Sequence, residues 1–225
     1  MKRLMPIFIV ILLSGCGILT AYAPNMLSMI VVAVMGVVVL LGIIYGLIPV
    51  LTFTQGLLTG QKSIQRASEA EEKSVWITAL QMDRFFRQKK MDQLFREYRD
   101  KVKQQRQNGQ IVSDLEDILN EDVLALYSWQ GVVAQIPGTL TGLGILGTFI
   151  GLLRGLRNIN FVTVEAALSS VQSILTGIDT AFYTSIAGVI LSILFNISNN
   201  ILRNTMDREM GIFLEVFHRV VLPTT

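Results

Sequence analysis

IPGTLTGLGILGTFIGLLRGL, residues Ile136 to Leu156, is the stretch whose reading decides the fold. A membrane-spanning helix needs roughly 20 mostly apolar residues, and this run supplies them. It also holds six glycines and three threonines, with Pro137 at its start, an unusual composition for a helix that meets only lipid. Thr141, Gly144, Thr148, Gly151 and Gly155 recur at steps of three or four and therefore share a helical face. The neighbouring strip of Gly147, Gly151 and Gly155 is a small-xxx-small series, which lets helices approach closely in a bilayer. The stretch predicts a helix lining a crowded, slightly polar interface inside a membrane assembly.

Outward from it, the chain of 225 residues is 51% hydrophobic, with the apolar residues gathered in four blocks: 6–23, 26–52, 132–153 and 168–197. Each approaches or exceeds a spanning length, so the expected class is an all-α integral membrane protein with four transmembrane helices. A net charge of +2 says little, but the placement of charge says more. Twelve of the nineteen basic residues lie between Lys62 and Arg106, and Lys2 and Arg3 begin the chain. By the positive-inside rule both segments belong in the cytoplasm. The single cysteine, Cys16, rules out an intramolecular disulfide, and with one histidine no Cys/His metal cluster can be assembled. No cofactor and no metal are expected.

The first block carries marks of two cleavable signals. Leu13-Ser14-Gly15-Cys16 resembles a lipoprotein processing site, and Ala21-Tyr22-Ala23 a small-x-small cleavage motif. Apolar residues continue past Cys16, however, and Pro24 follows directly where a peptidase cutting after Ala23 would disfavour it. The expectation is an uncleaved first span, about 6–23, then a Pro24-Asn25 turn and a second span, about 26–52. At 1.5 Å per residue the second reaches roughly 40 Å and must tilt or emerge, its exit marked by the polar run Thr59-Gly60-Gln61-Lys62-Ser63. The expected domains are 1–60 with the first two spans, a helical cytoplasmic segment 61–130, a pore-forming pair 131–200, and an amphipathic cytoplasmic tail 201–225.

Within 61–130, apolar residues from Ile77 to Val102 fall at helical spacing between lysines and arginines, which predicts one amphipathic helix. Asn108-Gly109 signals a turn. Ser113-Asp114-Leu115-Glu116 has capping-box spacing and predicts a second helix carrying Leu115, Ile118, Leu119, Val123 and Leu126. The plain reading is two helices packed on each other. The sharper one is that Arg84, Arg87, Lys89, Lys90, Arg96 and Arg99 dock a cytoplasmic effector or anionic headgroups.

The third span, about 132–156, and the fourth, about 168–198, are joined by a short connection that should lie outside, with Arg154 and Arg157 at the outer headgroups or a pore mouth. One face of the fourth collects Gly177, Thr180, Ala181, Thr184, Ser185, Gly188 and Ser192. Its opposite face carries Ile178, Phe182, Ile186, Val189, Ile190 and Ile193, suited to lipid. The two spans should be antiparallel neighbours, each offering small and hydroxyl residues at mid-depth. A lone transmembrane threonine is usually a packing residue, because its hydroxyl bonds the carbonyl four residues back. Two facing stripes suggest more: a narrow interior lined by Thr148, Thr184 and Ser185 that takes another helix and offers hydroxyls to an ion. Glu165 and Asp179 are the only carboxylates associated with these spans, and both belong to the outer half or its edge. Proton relays normally use an intramembrane Asp, Glu or His, so the charged half of such a path should come from another chain.

PGTLTGLGILGTFIGLLRGL followed by ILTGIDTAFYTSIAGVILSIL closely resembles the MotA/TolQ/ExbB proton-channel family. The first carries the family's G-T-x-x-G core at Gly147, Thr148 and Gly151; the second carries its A-x-x-[T/A]-[S/T]-x-x-G pattern at Ala181, Thr184, Ser185 and Gly188. The likeness covers about residues 130–200, and the four-span layout looks like MotA or the related motor subunits of Zorya-type anti-phage systems. The resemblance implies a homo-pentamer around a dimer of a single-span MotB/TolR/ExbD-like partner that carries the ion-binding aspartate. It implies Thr148 and Ser185 as the polar contacts toward that aspartate, with Thr184 adjacent, and Thr141 and Thr180 along the same ion pathway. Gly144, Gly147, Gly151, Gly155 and Gly188 would pack the partner's helix, and Pro137 would bend the start of the pore helix. One departure concerns Thr180, which stands eight residues before Gly188, where ExbB- and TolQ-like members have a glutamate. MotA's charged rotor-contacting loop has no counterpart, so flagellar torque is not supported.

The expected function is thus a channel-forming subunit of an ion-driven motor in the bacterial inner membrane, both termini cytoplasmic, with protons the implied ion and no nucleic-acid contact. The alternative is a non-conducting membrane scaffold that recruits a partner through its cytoplasmic helices. An enzyme is not expected, since Cys16 lies in the first span and His218 in the tail and no nucleophile–base pair can be formed from them.

Overall fold

A computed structural model of the chain describes residues 5–69, 84–109, 113–120, 122–123, 125, 128–157, 159 and 162–220. Its elements are all helical: α1 (Met5–Ala21), α2 (Met26–Gly42), a π-helical turn (Ile43–Leu47), α3 (Ile48–Glu69), α4 (Lys89–Gln107), a 3-10 turn (Leu115–Asp117), α5 (Gln130–Val133), α6 (Ile136–Leu156) and α7 (Val164–Val220). Among the described residues, three helical stretches are long and apolar enough to cross a membrane: Met26–Gln65, Gln130–Leu156 and Val164–Arg219. The helix α1, with 17 residues, is apolar but shorter, at the lower limit of a spanning length.

Two compact units emerge, one of Met1–Gly46 with Gly131–Asn200 and one of Leu47–Gln130 with Ile201–Thr225. In the first, Pro24 and Asn25 turn the chain between α1 and α2. Asn25 sits in extended backbone and its Oδ1 accepts from the Ser28 amide at 2.9 Å and the Ser28 hydroxyl at 3.0 Å, which caps α2. One stripe of α2 (Ser28, Val32, Met35, Val39, Gly42) is buried. Gly42 is pressed so closely that a Cβ there would stand 2.5 Å from Ile136 Cδ1 and 2.6 Å from the Phe195 ring. The opposite surfaces of α2, α6 and α7 expose large apolar residues, among them Val37, Phe149, Leu153, Phe182, Ile186 and Ile193. A soluble chain would not present such a surface.

The second unit closes on an aromatic cluster. Phe85 stacks on Phe95 at 4.7 Å and meets Phe86 edge-on at 4.8 Å, while Phe213 and Phe217 of α7 cover Phe86, Phe95 and Tyr98. On α3, a Cβ at Gly60 would come 2.9 Å from both Phe86 and Phe213, and one at Gly56 would come 2.5 Å from Met91 Sδ. The buried Asp92 accepts from the Phe86 amide at 2.8 Å and pins the segment before α4.

Four sequence expectations change. The helix of the second span does not stop near residue 52: the π turn widens it just before Pro49, which has no N–H for the carbonyl four residues back, and α3 then continues to Glu69. The polar run 59–63 lies inside α3, with the Thr59 and Ser63 hydroxyls bonded to Gln55 O at 2.8 Å and Thr59 O at 3.0 Å. The amphipathic helix expected from Ile77 to Val102 is broken. Its part before 84 lies outside the described residues, Arg87 takes a left-handed backbone (φ 55), and α4 begins only at Lys89. The capping box shifts by one residue, to Asp114 and Asp117, because Ser113 is held by Gln105 through two 2.8 Å hydrogen bonds. It starts a single 3-10 turn rather than a long helix, and Leu126 is not among the described residues. The tail, finally, is no separate element, since α7 is one helix of 57 residues starting at Val164 instead of 168. The Asn108-Gly109 turn is present, Gly109 supplying φ 64.

Asp114 links the turn to the end of α7, its Oδ1 lying 2.7 Å from His218 Nε2. Partial burial alone would raise its carboxyl, but the His218 hydrogen bond and the capping amides outweigh this and hold it below the ordinary carboxylate range. A carboxylate depressed in the folded state stabilises above its unfolded value, near pH 4, and loses that contribution as pH falls through the folded value. Asp114→Ala, which removes both the carboxylate and the cap, should therefore flatten the acid limb and destabilise the turn by about 1 kcal/mol, typical of a lost cap. Hydrogen exchange should then speed up at residues 113–120 and in the last turns of α7; unchanged exchange there would count against the clamp.

Candidate functional site

The site is built where α6 and α7 run antiparallel with their small residues face to face. Pro137 stands in the first turn of α6, where a missing N–H costs nothing, and the Thr141 hydroxyl bonds Pro137 O at 3.1 Å. A Cβ on Gly177 would fall 2.6 Å from Gly151 O, one on Gly188 would fall 2.7 Å from Leu140 O, and one on Gly155 would fall 3.1 Å from the Gly177 Cα. Gly147 receives the Thr184 side chain, whose Cβ would lie 2.7 Å from a Cβ there. A Cβ on Gly144 would stand 3.2 Å from Thr184 O and 3.3 Å from the Ser185 Cα. The glycine face expected to receive a partner's helix is filled by the chain's own α7.

Close approach sets the hydroxyl geometry. The Thr148 hydroxyl lies 3.1 Å from Gly144 O and 3.1 Å from Ala181 O, bonding within α6 and across to α7. Thr184 is wholly buried, its Oγ1 3.0 Å from Thr180 O and 3.2 Å from Ala181 O. The Ala181 carbonyl is therefore approached by two hydroxyls at once. It is also the acceptor four residues before Ser185, the one a helical serine would ordinarily use. The Ser185 hydroxyl accordingly makes no hydrogen bond among the described residues and stays half-buried beside Gly144, the residue whose carbonyl holds Thr148.

At the other end of the pair a cavity of about 460 Å³ opens between the start of α2 and the facing ends of α6 and α7, lined by Asn25, Arg154, Gln172, Ser173, Thr176 and Thr180 among others. Arg154 is the one charged residue among its described lining. Asn25 Nδ2 donates to Thr180 Oγ1 at 2.6 Å, and Thr180 in turn donates to Thr176 O at 2.8 Å. Asp179, next to Thr180 in sequence, is exposed and takes no part in the lining. The Tyr183 hydroxyl donates to Leu19 O and ties α7 to α1. Of the expected site residues the structure thus joins Thr148 and Thr184 through one carbonyl, sets Ser185 beside them, and places Thr180 at the far cavity and Thr141 near Pro137. Sequence reading missed Asn25, which looks only like a turn residue; its amide finds Thr180 155 positions away, a pairing no local pattern announces.

Comparison with known proteins bears on this geometry. The family model described as ZorA-like, anti-phage protein ZorA of the Zorya type I system, matches residues 12–205. A Zorya protein ZorA of Escherichia coli (strain Crooks) is 47% identical over 60 residues, 27% of this chain and 10% of that protein. A Zorya protein ZorA of Escherichia coli O139:H28 (ETEC) is 43% identical over 60 residues, 27% of this chain and 8% of that protein. The aligned segment thus spans a tenth or less of each relative's own length.

Backbone on the far side of Gly177 leaves no room for a side chain. Gly177→Ala should separate α6 from α7 and cost about 1–3 kcal/mol, as overpacking does. Gly142→Ala, with nothing within 4 Å of the new Cβ, should be neutral. Thermal unfolding of the detergent-solubilised protein compares the two; equal midpoints would contradict the tight interface.

Proposed function

The chain belongs to the ZorA-like family of the Zorya type I anti-phage system, and from that premise we propose that it is the ion-conducting subunit, with protons as the ion, of a membrane motor. In this reading α1 completes a set of four spans, and five copies surround a dimer of a single-span partner that carries the ion-binding aspartate. Residues 61–130 and 201–225 lie on the cytoplasmic side of an inner membrane, with both termini there, and the role is not catalytic. The supporting observation is the hydroxyl pair at the α6–α7 seam. Among the described residues the Ser185 hydroxyl has no partner, and Thr148 and Thr184 both approach the carbonyl it would ordinarily use. Thr148 and Ser185 are both half-buried, so each can meet a further helix, whereas Thr184 is sealed against Gly147 and serves packing.

In this reading the ion passes Thr148 and Ser185, and Thr180, which lines the separate cavity beside Asn25, takes no direct part. The glycines act one step earlier, by fixing where the two hydroxyls stand. Driving force and contact strength are of matching size: one charge crossing 100 mV releases about 2.3 kcal/mol, against about 1 kcal/mol for a typical net hydrogen bond. Hydroxyls can therefore help an ion or a protonated carboxyl past without trapping it.

Cells carrying the chain with its neighbouring genes should lose phage protection to the empty-vector level when Thr148→Ala and Ser185→Ala are combined. Assembly, read by size-exclusion of the purified complex, should persist, because neither change enlarges a side chain at the seam. Full protection in the double variant would remove both residues from the mechanism and favour a non-conducting scaffold.

A further inference from the structure

A second site lies in the other unit, at the corner where α3 meets the start of α4. Arg84, Arg87, Lys89 and Arg96 converge around a cavity of about 420 Å³, and Asp92 is the one carboxylate among its described lining residues. Asp92 is buried and engaged with the Phe86 amide, and no ion pair reaches the four cations among the described residues. Gathering like charges in one place is unfavourable without a counter-anion. Arg87, moreover, is held in a left-handed backbone at φ 55, uncommon for a residue with a side chain and retained only where its surroundings over-determine it.

Lys89 also lines an adjoining cavity of about 260 Å³, together with Lys90 and with Ile48, Pro49 and Phe53 of α3. That wall is apolar apart from Thr52, whose hydroxyl is spent on Pro49 O at 2.8 Å, and it belongs to the candidate span Met26–Gln65. Gly56 keeps the corner closed, since Met91 Sδ and Gln88 Cγ already fill the space a Cβ would take. Just before the wall stands Tyr45, 53% exposed, a residue type enriched at membrane–water boundaries. A soluble anion has no use for the apolar wall, and an acidic peptide has no use for its place on a spanning helix. An anionic phospholipid uses both, with its phosphate among the cations and its glycerol and chain roots along Ile48 and Phe53.

We propose that this corner is a binding site for an anionic phospholipid headgroup, which anchors α4 against the membrane end of α3. The assignment stands apart from the ion-pathway reading, because it rests on different residues in a different unit.

The test titrates the purified full chain with phosphatidylglycerol and with phosphatidylcholine, and counts retained lipid by native mass spectrometry. Phosphatidylglycerol should bind at least about tenfold more tightly, and the combined variant Arg84→Gln, Arg87→Gln, Lys89→Gln and Arg96→Gln should abolish the preference, since each basic group near an anionic surface is worth about fivefold. Should that variant fail to fold, Arg87→Gln with Lys89→Gln carries the test, with a loss of about 25-fold expected. Lys101→Gln with Lys103→Gln removes equal charge from the exposed remainder of α4 and should leave binding unchanged. Millimolar inorganic phosphate should not displace the lipid. A preference that survives in the site variants, a control pair that weakens binding as much, or full displacement by phosphate would each overturn the assignment, the last in favour of a soluble anion.

Discussion

Between α6 and α7 glycine meets main chain, and the rest of the first unit follows from that contact. Water contributes no hydrophobic drive to the association of two helices inside a bilayer, so close packing and polar contacts must hold them. Gly151, Gly155 and Gly177 supply the packing by letting carbonyls and α-carbons approach within the space of a missing methyl. Such proximity brings Thr148 within reach of Ala181 O across the seam. A carbonyl shared by Thr148 and Thr184 has little left for Ser185. The only unspent hydroxyl of the set is thus a consequence of the glycines, several steps removed. Packing and candidate chemistry are one arrangement seen at two depths.

Helical periodicity told which residues share a face, and those faces exist as read. Periodicity does not tell what a face meets. Gly144, Gly147, Gly151, Gly155 and Gly188 looked ready for a foreign helix, whereas α7 fills the groove from within the chain. Thr184 and Ser185 are neighbours with nearly identical chemistry, and only the register of α6 against α7 buries one and leaves the other half-open. The same limit explains the misread ends. Thr59 to Ser63 are polar, which speaks of solvent or headgroups, but polarity does not stop a helix whose hydroxyls bond their own backbone. The run from Ile77 to Val102 kept helical spacing across Phe85 and Phe86, yet contacts with Phe213, far along the chain, draw those rings out of register. Ser113 had the right spacing for a cap until Gln105 claimed it.

Both units use glycine to admit a neighbour, though the neighbour differs in kind. Gly56 and Gly60 admit the flexible Met91 side chain and the rings of Phe86 and Phe213, which can shift rotamer if crowded. Gly151, Gly177 and Gly188 admit backbone, which cannot. A seam of the second kind has one register and no nearby alternative, because packed cores yield in steps rather than continuously. For a proposed path in which two hydroxyls must present themselves to a carboxyl on another chain, that stiffness is the useful property. A bond of about 1 kcal/mol survives only if donor and acceptor stay near 3 Å with good alignment. Were the seam able to slide by half an ångström, the Ala181 carbonyl would release Thr148 or accept Ser185, and the polarity offered outward would change with it. Fixing the backbone therefore fixes which hydroxyl remains available, and in this chain that selection falls on Ser185.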